Sequence, residues 1–255
     1  MDYIPKGGHG IILGMAYTPE RITAELRKAW GGNLLSAVLY GSGATDEFDP
    51  KRSDYNLLLV VRDSVKAGGP VTGGIFRKWS AEGNPTPLVM TADFMRRSAD
   101  VFPLEWLDIR ERHRVLFGKD PVAGLKVGGS NYRLELEREL KSNLLRLQGK
   151  YRMLAGRNHE VRELITMSSS TFIALFRACL RLLGARPLPA RSGTAAALAR
   201  KLGFDASPFG FAARLRNGER DALKADPDLW MGKYMRAIMA VVAKVENTNR
   251  RIAKR

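Results

Sequence analysis

Cysteine is nearly missing from this chain of 255 residues: there is one, Cys179, inside an apolar stretch. A disulfide within the chain is therefore excluded, as is a zinc site built on thiolates, and the expected compartment is a reducing one. Histidine is scarce too, and the three residues at 9, 113 and 159 do not have the spacing of a metal cluster. No apolar run approaches the roughly 20 residues of a membrane span. The opening Met-Asp-Tyr-Ile-Pro-Lys-Gly-Gly-His-Gly lacks the basic-then-apolar order of a signal peptide. These absences predict a soluble, cytoplasmic protein with no membrane partner. Internal repeats and low-complexity segments are missing as well.

What is present is an ordinary globular mixture, 45% hydrophobic and 27% charged, enough for one large domain or two smaller ones. The charge is unevenly placed. Residues 1–129 hold 17 Lys and Arg against 15 Asp and Glu, whereas residues 130–255 hold 25 against 11, so the net +16 divides into +2 and +14. A basic second half predicts attraction to nucleic acid or another polyanion, weighed evenly against a solvated helical surface.

The first half alternates element types. Thr18-Pro19-Glu20 supplies an N-cap, a first-position proline and a first-turn acid, and Ile22, Leu26 and Trp30 recur at helical spacing, predicting a helix over 18–30. Strands are predicted over 34–40, 55–61 and 87–90, with helices over 75–81 and 92–99. Leu104 to Ile109 and Arg114 to Phe117 read as two further short strands. After the glycine-rich link 124–130 the pattern becomes helical: one long helix over 131–157, a second over 161–183 ended by Gly184 and Pro187, and a third from Ser192 to Gly203. A broken region follows around 208–217, then a last helix over 228–254. The predicted fold class is α+β, a small mixed sheet over residues 1–126 followed by a basic all-helical bundle over 127–255.

The densest chemistry lies between residues 38 and 61. Val38-Leu39-Tyr40-Gly41-Ser42-Gly43 reads as a strand running into a tight turn, and Ser53-Asp54-Tyr55-Asn56-Leu57 as the start of a second strand. Asp54 and Asn56, two apart, point to one face. Gly41 has no Cβ to keep backbone amides away from a phosphate. This arrangement resembles the signature of the nucleotidyltransferase superfamily, which includes DNA polymerase beta and the aminoglycoside nucleotidyltransferases. That signature is an apolar residue, Gly, Gly or Ser, a spacer of about a dozen residues, then Asp, an apolar residue, Asp or Glu, and an apolar residue. Tyr40, Gly41, Ser42, the spacer 43–53, Asp54, Tyr55 and Leu57 meet it. Asn56 stands where the second carboxylate belongs.

The resemblance implies a catalytic sheet followed by a helical bundle, a nucleoside triphosphate as ligand, and Mg²⁺ or Mn²⁺ as cofactor. It implies transfer of a nucleoside monophosphate to a hydroxyl acceptor, with the metal aligning the nucleophile and neutralising the leaving pyrophosphate. Gly41 and Ser42 would cradle phosphates. Asp54 and Asn56 would hold the metal together with a third ligand from a neighbouring strand, for which Asp108 is preferred to Glu105. Lys51 and Arg52 are candidate phosphate donors, and Asp46, Glu47 and Asp49 lie in the spacer.

Asn56 can ligate a cation through its carbonyl oxygen but brings no charge. At an effective dielectric near 20, two unit charges about 4 Å apart are worth about 4 kcal/mol, so the missing carboxylate predicts weak metal binding and slow transfer. The alternative is a catalytically impaired nucleotide- or polyanion-binding module, for example a regulatory or toxin–antitoxin component. Gly41-Ser42-Gly43-Ala44 is too short for a P-loop and lacks its Lys-Ser/Thr ending. Arg157-Asn158-His159 does not have the spacing of a HEPN ribonuclease, which the helical half otherwise brings to mind. Met167 to Thr171 and Cys179 read as helix-packing residues.

Overall fold

The computed structural model describes residues 17–45, 48, 53–127, 131–185 and 193–252. The chain divides into two compact units between residues 128 and 129. It is an α+β protein, with a small mixed sheet in the first unit and helices alone in the described part of the second.

The first unit opens on α1 (Pro19–Trp30), where the Thr18 hydroxyl accepts a hydrogen bond from the Arg21 amide at 3.3 Å. Glu20 in its first turn and Arg27 and Lys28 in its last complement the helix dipole, and the chain leaves through Gly31 at φ +50°. β1 (Leu34–Tyr40) pairs antiparallel with both β2 (Asn56–Val61) and β4 (His113–Gly118). β3 (Leu88–Thr91) runs parallel to β2, giving the order β3-β2-β1-β4. Between the strands come α2 (Pro70–Ala81), α3 (Ala92–Arg97) and α4 (Pro103–Glu111).

The sheet is covered on both faces, so β1 and β2 are apolar at nearly every position. Ala37, Leu39, Leu57 and Leu59 join Ile22, Leu26 and Trp79 on one face. Val38, Leu58 and Val60 join Met95, Trp106 and Ile109 on the other. Burying this many large apolar side chains, each worth roughly 1.5–3 kcal/mol, is what holds the strands together. Trp79 is fully buried, and its indole N–H donates to the Pro85 carbonyl at 2.8 Å, tying α2 to the stretch leading into β3.

One expectation fails here. Leu104 to Ile109 is not a strand but part of α4, opened by Pro103 at its first position. Leu104, Trp106 and Ile109 are all buried, and a short helix lying on the sheet accounts for them as readily as a strand would.

The second unit begins with α5 (Tyr132–Leu154), whose Leu136, Leu140, Leu144 and Leu147 form one buried stripe at helical spacing. It packs against α6 (Asn158–Leu182) and α10 (Pro227–Ile252), with α7 (Thr194–Leu202), α8 (Ser207–Arg216) and the short α9 (Arg220–Lys224) between the last two. The rings of Phe172, Phe176, Phe209 and Tyr234 meet at centroid separations of 4.8–5.9 Å. α6 is long and apolar enough to cross a membrane by composition, and half of its most apolar window is buried in this core. Cys179 lies there with its thiol pushed up to about 12 by burial. The region expected to be broken around Pro208 is α8, with the Ser207 amide capped by Asp205 Oδ1 at 2.8 Å.

Candidate functional site

β1 ends at Tyr40, and the chain turns at once through a short 3₁₀ segment, Gly41–Ala44. Gly41 takes φ +75°, a conformation that L side chains adopt only with strain, and its amide donates to the Arg112 carbonyl at 2.9 Å. That bond pins the turn to the residue just before β4. It also spends the Gly41 amide, and the Gly43 amide closes the first i→i+3 bond of the turn, so the N–H that the opening leaves without an acceptor of its own is that of Ser42. Gly43 is required for a different reason. A Cβ there would stand 2.9 Å from Tyr55 Cδ1, and Tyr55 is itself stacked on Phe48 at 4.2 Å.

In the sheet register Tyr40 lies directly opposite Asn56, on the same face as Val38 and Leu58. The Asn56 amide reaches the turn: a Cβ built on Gly41 would sit 3.7 Å from Asn56 Nδ2. Asp54, half-buried, comes two residues earlier, just ahead of β2. The intervening Tyr55 points to the opposite face and packs near Trp79, 6.2 Å between ring centres. Burial, helped by the Asp54 charge, pushes the Tyr40 hydroxyl up to about 12. Tyr40, Gly41 and Asn56 therefore meet at one end of the two central strands, with Asp54 just ahead of β2.

Asn84 is the residue that sequence reasoning missed. It is buried, its Oδ1 accepts from the Tyr55 amide at 2.9 Å, and its Nδ2 donates to the Trp79 carbonyl at 3.4 Å. It thereby fixes the backbone between Asp54 and Asn56. A buried Asn just before a short strand gives no periodic signal in sequence. β3 pairs with β2 as Leu58 with Leu88.

The other candidates stand as follows. Asp108, half-buried, and Glu105, exposed, lie on α4 and not on the neighbouring strand expected to bring the third ligand. α4 does cover the sheet face that carries Asn56, through Trp106 and Ile109. Lys51, Arg52, Asp46, Glu47 and Asp49 lie outside the described residues. Among the described residues no three His, Cys, Asp or Glu side chains group closely enough to hold a metal. On β4, His113 faces Tyr40 in the register and contacts Asp120 Oδ2 through Nε2 at 3.0 Å and the Arg110 carbonyl through Nδ1 at 3.1 Å.

No family model matches the chain, and no curated protein matches it significantly. The chain is similar to spectinomycin adenyltransferase AAD(9) from Enterococcus faecialis. That protein was solved with ATP and spectinomycin. The likeness covers 86% of this chain and 96% of that one, at 12% identity and a TM-score of 0.47.

Proposed function

We propose that the first unit is a nucleotidyltransferase-type domain that binds a nucleoside triphosphate with Mg²⁺ at the turn after β1. One observation carries this reading: the left-handed Gly41 turn has the Asn56 amide against it, with Asp54 two residues away along the chain. In it, the Ser42 amide meets a phosphate oxygen, and Asp54 and the Asn56 carbonyl oxygen hold the cation. The metal, when bound, supplies charge neutralisation on the phosphates. Asp54 orients it, and Asn84 keeps the Asp54–Asn56 segment in place. Lys51 and Arg52 are further phosphate contacts in this reading, and Asp108, or Glu105 in its stead, is the remaining ligand.

Transfer of a nucleoside monophosphate to a hydroxyl is the reaction such a site performs, and here it is slow. Asn56 is neutral where charge is needed, and a missing unit charge near the cation is worth several kcal/mol, about 4 at 4 Å. The test is pyrophosphate release by wild type and Asn56→Asp. Little release from wild type and a gain in the variant supports the reading. Strong wild-type release that Asp54→Ala abolishes makes the protein a competent transferase instead. No gain in the variant removes the metal role of this position.

The second unit supports a polyanion-binding role alongside. α5 exposes Arg138, Arg146, Lys150 and Arg152, in a half of the chain with net charge +14. Binding of single-stranded RNA that falls steeply between low and physiological salt is the expected outcome.

A further inference from the structure

The second unit contains a cavity of about 440 Å³, bounded by α6, the first turn of α7 and α8. Its volume is in the range of small-molecule sites, roughly 300–1,000 Å³. The hollow exists because the three helices present almost nothing to fill it: Gly193, Ala195, Ala196, Ala206, Gly210 and Ala213 line it. Ile173 and Phe209 supply the larger apolar surface. Among the described lining residues the polar side chains are Ser169, Ser170, Arg216 and Asn217.

Arg216 is set in place before any ligand arrives. Its Nη2 donates to the Thr166 carbonyl at 3.2 Å, to Ser169 Oγ at 2.8 Å and to Ser170 Oγ at 3.1 Å. The Ser169 hydroxyl spends its own proton on Thr166 O at 2.7 Å. Ser170, accepting from the guanidinium, keeps an O–H to donate. A fixed positive charge and an oriented hydroxyl thus stand beside a cavity that is otherwise apolar.

We propose that this cavity binds a small organic acid, with an apolar, flat or chain-like body against Phe209 and Ile173 and its carboxylate toward Arg216, Ser170 and Asn217. A carboxylate fits better than phosphate. One guanidinium and one hydroxyl match a single planar anionic group, whereas glycine and alanine walls leave the remaining oxygens of a more highly charged anion without partners.

The test uses the full chain and calorimetric titration with 2-naphthoate, decanoate, 2-naphthamide and inorganic phosphate. At least one of the two carboxylates binds below millimolar, while the neutral amide and phosphate bind at least tenfold more weakly. Arg216→Met weakens carboxylate binding tenfold or more. Ala213→Leu, which narrows the cavity while keeping the charge, abolishes it even if Arg216→Met fails to fold. Three results overturn the proposal: no binding of either carboxylate at millimolar concentration, binding unchanged in Ala213→Leu, or phosphate binding as tightly as the carboxylates.

Discussion

Replacing Gly41 by alanine separates two roles of that glycine, one in the backbone and one in the site. At φ +75° an L residue pays about 1–2 kcal/mol, roughly a five- to thirtyfold shift in the folding equilibrium. The added methyl adds no clash, because its nearest neighbour, Asn56 Nδ2, lies at an ordinary contact distance of 3.7 Å. Destabilisation by urea should therefore stop near the backbone figure. Binding should suffer more, since the methyl stands between the turn and the amide assigned to the cation; a loss of tenfold or more in triphosphate affinity is expected. The control is Gly69→Ala in the same unit. Gly69 has φ +96° with no atom within 4 Å of a built Cβ, so its cost is one of backbone conformation alone and it has no link to the site. The reasoning is refuted if Gly41→Ala keeps wild-type affinity, or if Gly69→Ala loses as much.

Two further outcomes follow from local geometry. At Gly118, φ +78°, a Cβ would lie 2.0 Å from the Leu35 carbonyl oxygen, a backbone atom of the paired strand that cannot give way. Gly118→Ala should cost more than about 3 kcal/mol in thermal or urea unfolding, and a loss under 1 would show that β1 and β4 can separate locally. Burial acts to raise the Asp120 carboxyl, but the His113 contact and the Val122 and Ala123 amides outweigh it and hold it below its ordinary range. A carboxyl lowered in the folded state contributes its stabilisation fully above the ordinary value near 3.8 and loses it as pH falls through the folded value. Asp120→Asn should therefore lower stability at neutral pH and flatten the acid limb of urea titrations between about pH 5 and 2.

Much of this architecture was legible because its signals are local. Thr18-Pro19-Glu20 announces α1, and the nearly continuous apolar runs of β1 and β2 announce strands. The failures share one cause. Residues 104–109 were read as a strand and 208–217 as a broken region, yet Pro103 and Pro208 each stand at the first or second position of a helix, as Pro19, Pro70 and Pro227 do. Proline costs little there, since the first amides of a helix have no partner to lose. At the site, the pairing of Gly41 with Asn56 could be anticipated from the alternation of strand faces. Asn84 and the Arg112 carbonyl could not, because their contacts join segments 29 and 71 residues apart through single hydrogen bonds that leave no pattern.

Calorimetric titration of wild type and Asp54→Ala with ATP, GTP, CTP and UTP in the presence of Mg²⁺ addresses the central claim most directly. Wild type should bind at least one triphosphate below millimolar, and Asp54→Ala, folded by circular dichroism, should bind it tenfold or more weakly. Absence of binding for all four at millimolar concentration, or equal affinity in the two proteins, would contradict a nucleotide site at this turn.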